Sequence, residues 1–208
     1  MGATEVKPTR SELIEIKKKI KLSESGHKLL KMKRDGLILE FFEILNQAKD
    51  VRSELDAAYE EANTKIGIAK AVEGTISVKS TAFALSDEPD IELESNNIMG
   101  VVVPKIKSTS VSKPMNKRGY GILGTSSYID EAAEAYEILV EKIILAAEIE
   151  TTIKKLLDDI EKTKRRVNAL EFKVIPELTE SMTFIKLRLE EMERENTFRL
   201  KKIKDKAE

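Results

Sequence analysis

The chain has no cysteine and no tryptophan, one histidine, and only 6 Phe and 4 Tyr in 208 residues. Without cysteine there are no disulfides, thiolate zinc sites or Cys nucleophiles, a composition suited to a reducing compartment. One histidine, His27, cannot build a His-based metal cluster, and no second His or Cys is present to complete a catalytic dyad. Long apolar runs are missing as well. The densest, Ile143 to Ala147, is bounded by Lys142 and Glu148, well short of the ~18 residues that mark a membrane-spanning helix. The start runs into Lys17, Lys18, Lys19 and Lys21 with no signal-peptide core, so any membrane connection is expected to run through a partner. Aromatic side chains dominate ordinary core energetics, and their scarcity argues for a thin apolar seam.

What is abundant is charge. Asp, Glu, Lys and Arg make up 35% of the chain against about 25% in ordinary domains. Ala, Glu, Lys, Leu and Arg together account for about half of it, the composition of long helices and coiled coils. The net charge of −1 conceals opposed blocks. Residues 7–34 are strongly basic and 130–161 strongly acidic, so different stretches are expected to meet different partners, and general nucleic-acid binding is disfavoured.

Periodicity divides the chain into three parts. Residues 9–74 carry apolar positions at 3–4 spacing: Leu13, Ile16, Ile20, Leu30, Leu37, Phe41, Ile44, Ala48, Val51, Leu55, Ala58, Ala62, Ala69 and Val72. That stripe is far longer than a coiled-coil assignment needs. Ser23, His27, Arg34 and Lys65 are polar members of it. Gly26 and Gly36 nearby point to close approach or bending, since glycine costs roughly 1 kcal/mol in a helix interior; the alternative is a seam that simply drifts, because 3.6 does not divide seven. Residues 75–125 form an insertion. Thr75–Phe83 and Ile98–Ile106 have β-branched, alternating character, with turn chemistry at 86–90 and at Asn96-Asn97 between them. The pattern predicts a β-hairpin with an acidic tip, Pro104 marking an edge strand, followed by a Ser/Lys loop over 107–118. Residues 126–206 return to helix, capped by Ser126-Ser127. Their stripe includes Ile129, Ala132, Tyr136, Leu139, Ile143, Ile149, Leu157, Val167, Leu170, Val174, Leu178, Ile185, Met192 and Ile203. Pro176 is expected to kink or break this helix near 172–176.

The fold expected is therefore mainly α, a long antiparallel two-helix coiled coil with a small β-hairpin insertion. Pairing Val72 with Tyr136 and Leu13 with Ile203 sets Arg34 opposite residues 174–182. It also collects Lys17, Lys18 and Lys21 with Arg199, Lys201, Lys202 and Lys204 at one basic end, the candidate partner-contact residues.

No constellation carries catalysis. Gly119-Tyr-Gly121-Ile-Leu-Gly124 has the letters of a dinucleotide fingerprint but lacks the preceding strand and βαβ unit the mechanism needs, so a glycine hinge into the next helix is the better reading. Asp158-Asp159 and Glu190-Glu191 lie on faces rich in Lys and Arg, as solvated flanks do. Lys164-Arg165-Arg166 is interleaved with acids and fits a flank or protein contact. Catalytic residues, metal ligands and cofactors are each expected to be none. Periodicity alone leaves a free-standing coiled-coil tether or adaptor open.

Five blocks in order narrow the choice: Pro8-Thr-Arg-Ser-Glu-Leu, Gly26-His-Lys-Leu-Leu-Lys-Met-Lys-Arg-Asp, Arg118-Gly-Tyr-Gly-Ile-Leu-Gly-Thr-Ser, Arg165-Arg-Val-Asn-Ala-Leu-Glu and Phe198-Arg-Leu-Lys-Lys-Ile-Lys. Across nearly the whole chain they resemble the D subunit of the V-type and archaeal A-type ATPases/ATP synthases. The resemblance implies a non-catalytic central-stalk rotor shaft. Its terminal end would sit in the ring of catalytic and regulatory nucleotide-binding subunits (A and B). The F subunit of the central stalk would bind alongside, and the C subunit would link it to the membrane rotor. It also implies a peripheral place on the cytoplasmic side of the membrane, with torque passing between ATP chemistry and ion translocation.

Overall fold

The computed structural model describes residues 7–84, 91–108, 111–112, 118–121 and 125–207. Helix α1 runs unbroken over Arg10–Glu73, and Thr9 caps it, its hydroxyl accepting the Glu12 N–H at 3.2 Å. A short helix, α2, covers Thr75–Phe83. Strands β1 (Ile91–Ile98) and β2 (Val101–Ser108) form a two-stranded antiparallel sheet. Helix α3 covers Ser127–Ala169, a π-helical turn covers Leu170–Val174, and α4 covers Ile175–Ala207. The chain divides into two compact units, residues 37–159 and residues 1–36 with 160–208.

In the 37–159 unit the helical seam is built from small side chains. Ala62, Ala135 and Leu139 form one buried cluster with Ala58 and Tyr136 against it, and Ala69, Val78 and Ile129 form another. Glu54 pairs with Lys142, and Glu73 accepts the Ser126 N–H at 2.6 Å. These contacts match Ala69 with Ile129, and so replace the expected pairing of Val72 with Tyr136. Val72 itself is exposed.

The hairpin differs from the expected one. Thr75–Phe83 is helical: Gly74, at φ +86°, ends α1 and lets a new helix start at once. Val78 then packs on Ala69 and Ile129, so tertiary burial overrides β-branched propensity. The two strands instead flank a turn at Met99-Gly100, where φ values of +49° and +86° define a type I′ hairpin. Asn97 Oδ1 accepts the Gly100 N–H at 2.8 Å, so Asn96 and Asn97 finish β1 and do not form a separate loop. The tip expected over 86–90 lies outside the described residues, as does most of the 107–118 loop.

Register explains how β2 meets α3. With Ile98 and Val101 closing the turn, Val102, Pro104 and Ile106 occupy positions whose main-chain groups point away from β1. Lys155 Nζ donates to the Val102 carbonyl at 3.1 Å, and the Ile106 N–H donates to Glu148 Oε2 at 3.0 Å. Pro104, between them, has no N–H to leave unpaired. The open edge of β2 is thus covered by two α3 side chains.

This contact also moves the buried face of α3. Leu156 is 0% exposed while Leu157, expected in the seam, is 47% exposed, and Ile144 is buried where Ile143 is not. The buried set shifts by one residue along the stretch that carries Glu148, Thr152 and Lys155. Near the hairpin, α3 packs against β2 as well as α1, with Val103, Pro104, Ile149 and Ile44 around one common pocket.

In the other unit, Ile16, Thr163, Val167, Ser181 and Ile185 are buried, and Ser23, His27 and Arg34 are half-buried as their stripe positions require. Arg10 Nη2 lies 2.6 Å from Glu193 Oε1, and His27 Nε2 lies 3.4 Å from Glu171 Oε2. The segments are antiparallel, but the register differs from the expected one. Leu13 lies near the level of Glu190, not of Ile203, and His27 instead of Arg34 meets the turn before Pro176. Close approach does not account for Gly26, because a Cβ there would meet nothing within 4 Å.

Pro176 neither breaks nor ends the helix. The preceding π-turn widens the ladder, the Ile175 N–H donating to the Leu170 carbonyl, which relieves the clash proline makes in a regular α-helix.

Candidate partner-contact surfaces

The basic residues singled out from sequence all lie in the second unit and all are exposed. Lys17, Lys18 and Lys21 are on α1, two to three turns beyond Arg10. Because Arg10 is level with Glu193, Arg199, Lys201, Lys202 and Lys204 lie on α4 past the start of α1, so the two basic groups occupy successive levels. Arg199 pairs with Glu195 at 3.5 Å, and Lys201 flanks a shallow groove with Glu193, Arg194 and Phe198.

The more informative residues are apolar and were not singled out as a site. From Glu190 to Lys206 every side chain of α4 is exposed. Among them Phe198, Leu200 and Ile203 are 66%, 68% and 64% exposed. Their positions point around the helix, not along one stripe, so no single neighbouring helix could cover all three. Large apolar side chains exposed on several faces of a helix are a surface of the kind on which other proteins dock. A signal was available: after Met192 the 3–4 spacing fails, and only Ile203 keeps to it.

The 37–159 unit holds a second feature, at the start of the stretch expected to be a glycine hinge. Arg118 is 8% exposed, and its guanidinium grips Glu137 with two bonds of 2.9 and 3.0 Å while Nη1 donates to the Asp130 carbonyl at 3.3 Å. Tyr120, also buried, donates its hydroxyl to Asp130 Oδ1 at 2.6 Å. Burial opposes the Arg118 charge, but the Glu137 carboxylate and the Tyr120 oxygen together outweigh it and hold the guanidinium above its ordinary range. Burial and the bond to Asp130 push the Tyr120 phenol up. Gly119 between them takes φ +86°, and a Cβ there would come within 3.4 Å of the Ala84 carbonyl. The Arg-Gly-Tyr triplet is therefore a clasp fastening the segment after the hairpin onto α3, where a hinge was expected. Gly124 lies outside the described residues. Asp130 and Glu137 lie two turns apart on one face of α3.

The expected Ser126-Ser127 cap takes another form. The Ser126 hydroxyl is buried without a hydrogen bond among the described residues. The helix start is held instead by the Glu73 carboxylate on the Ser126 N–H and by the Ile129 N–H on the Ser126 carbonyl.

Among the described residues no cluster of three or more His, Cys, Asp or Glu could hold a metal ion, and no helix is long and apolar enough to cross a membrane.

Comparison with known proteins places the chain. A family model for the ATP synthase D subunit matches residues 12–205. The chain is similar to the D subunit of the A-type ATP synthase of Methanococcoides burtonii, 84% identical over 98% of this chain and 99% of that one. It is 72% identical to the protein of that name from Methanosarcina acetivorans, over 98% of each chain. It is 60% identical to that from Halobacterium salinarum, over 98% of this chain and 91% of the other. With unbroken helices, a small hairpin and full-length matches at these identities, the chain belongs to the family of ATP synthase D subunits.

Proposed function

We propose that this chain is a non-catalytic rotor shaft in the central stalk of an A-type ATP synthase, carrying torque between a nucleotide-binding ring and a membrane ion rotor. The observation that carries the proposal is the end of α4, exposed on every side from Glu190 to Lys206 yet bearing Phe198, Leu200 and Ile203 among Arg199, Lys201, Lys202 and Lys204. Such a segment fits the lumen of a ring of A and B subunits, where apolar side chains on every face find walls and the cations find acidic groups. Torque needs an element that resists bending, and α1 supplies 64 residues of unbroken helix. The F subunit alongside the shaft and the C subunit toward the membrane complete the assignment. The chain would then be held at the cytoplasmic face of the membrane through these partners.

Reconstitution with the ring tests it. Phe198→Ser, Leu200→Ser and Ile203→Ser combined should abolish stable insertion at any salt concentration. Charge reversal at Lys18, Lys201 and Lys202 should weaken assembly mainly at low salt, because exposed charges are screened within about 10 Å at 0.1 M. Normal assembly and coupled hydrolysis with the triple serine variant would remove the proposal.

A further inference from the structure

The two edges of the hairpin are treated differently. On β2 the outward main-chain groups of Val102 and Ile106 meet Lys155 and Glu148 of α3, and Pro104 between them has no N–H to offer. On β1 the outward positions are Ile91, Leu93, Ser95 and Asn97, each opposite a β2 position whose groups point away. The Asn97 N–H is held by the Asn96 side chain at 2.8 Å. Among the described residues nothing bonds the outward main chain of Ile91, Leu93 or Ser95. Edge strands are ordinarily blunted by proline, lysine, a bulge or a covering element. From Ile91 to Ile98 β1 has neither proline nor lysine, pairs with β2 one residue to one without a bulge, and is exposed as far as Asn97.

Side chains alternate across the strand. One face carries Ile91 and Leu93, the latter 72% exposed, with Ile106 opposite Leu93 and the exposed Val102 nearer the turn. The other face carries Glu92 and Glu94, both exposed. Glu94 pairs with Lys107 of β2, and Glu92 has no ion pair among the described residues.

That pattern selects the occupant. A second copy of this chain paired antiparallel about Leu93 would set Glu92 against Glu94 on both sides of the two-fold axis, and like charges directly opposite are destabilising. A strand with lysine or arginine at alternate positions and apolar side chains between them meets both glutamates with opposite charge. It extends the apolar face at the same time. We infer that β1 is a docking edge, completed by an extended segment of another protein in which basic and apolar residues alternate, added as a third strand beside Ile91 to Ser95. Main-chain bonds supply the affinity, and the alternating side chains set the register. The inference concerns the hairpin alone and stands apart from the rotor reading.

A short blocked peptide alternating lysine with valine is the probe, with its glutamate counterpart as control. Each is titrated into the purified full chain while amide exchange is followed by NMR. The lysine peptide should slow exchange at Ile91, Leu93 and Ser95 and leave Glu92, Glu94 and Asn96, already bonded to β2, as they were. The glutamate peptide should bind at least ~10-fold more weakly. Leu93→Pro removes an outward N–H and no bond to β2, so the hairpin should persist while affinity for the lysine peptide falls at least ~10-fold. Glu92→Lys combined with Glu94→Lys keeps the backbone and should reverse the preference, which decides the matter if Leu93→Pro loses the hairpin. The inference is overturned if neither peptide slows exchange at Leu93, if both bind alike, or if the charge-reversed variant keeps the original preference. Unchanged binding by Leu93→Pro with its hairpin intact also overturns it. So does protection of β1 without peptide that grows with protein concentration, which would make a second copy the occupant.

Discussion

Residues 37–159 and the unit formed by 1–36 with 160–208 share the same two long helices yet hold themselves together differently. The first adds to its helical seam a covered strand edge, a short helix and a buried ionic clasp. Among the described residues the second has the seam alone, with polar members at Ser23, His27 and Arg34 and an exposed helix end. The contrast teaches where this chain is specified by itself and where it is left to be completed by others. Buried ionic groups hold one arrangement because mispairing is costly, while exposed apolar groups wait for a partner.

The clasp is the place to break the contrast most severely. Arg118→Ala would strand the Glu137 carboxylate in a nearly closed site, and removing one partner of a buried pair costs about 3–5 kcal/mol. Urea unfolding of the variant should show that loss, with amide exchange accelerating in residues 127–137. Replacing both partners, Arg118→Met with Glu137→Leu, should recover most of it, because no buried charge is left alone. A loss of the same size in the double variant would show that the clasp acts through shape and not through charge.

A one-residue distinction on α3 comes next. Leu156→Ala, at a fully buried site, should cost about 2–5 kcal/mol, whereas Leu157→Ala, half exposed, should cost under about 1 kcal/mol. Equal losses would mean that the seam of α3 keeps the simple 3–4 stripe and that the hairpin contact does not displace it.

That pair of leucines also marks the limit of what the amino-acid sequence discloses. The α1 stripe was legible from Leu13 to Ala69, polar members included, and failed at Val72, which is exposed. On α3 the period was right and the phase slipped, since Glu148 and Lys155 bind a strand that lies some fifty positions away. Thr75–Phe83 was misassigned for a related reason: its β-branched residues suit either state, and only the pocket made by Ala69 and Ile129 decides. The basic groups were visible as composition, but their levels depended on a register that nothing local encodes. The clasp was hidden because Arg118 looked like one charge among 36 Lys and Arg.

The smallest effect sharpens the contrast from the other side, by stabilising. Gly26 lies in the middle of α1, in the sparsely supported unit, with open space where a Cβ would stand. Its φ is not in the left-handed region, so an L side chain meets neither strain nor clash. Gly26→Ala should then raise stability by roughly 1 kcal/mol, the helix-propensity difference, acting mainly by restricting the unfolded chain. Gly67, equally open but within the 37–159 unit, is the matched control, and Gly67→Ala should give a gain of the same order. Exchange protection tells the two apart: the Gly26 variant should gain it around Ile16 to Arg34 and the Gly67 variant around Ala62 to Ala69. If Gly26→Ala left stability unchanged or lowered it while Gly67→Ala raised it, then α1 near His27 must give way in a manner alanine resists, and the glycine would be kept for motion, not left by chance.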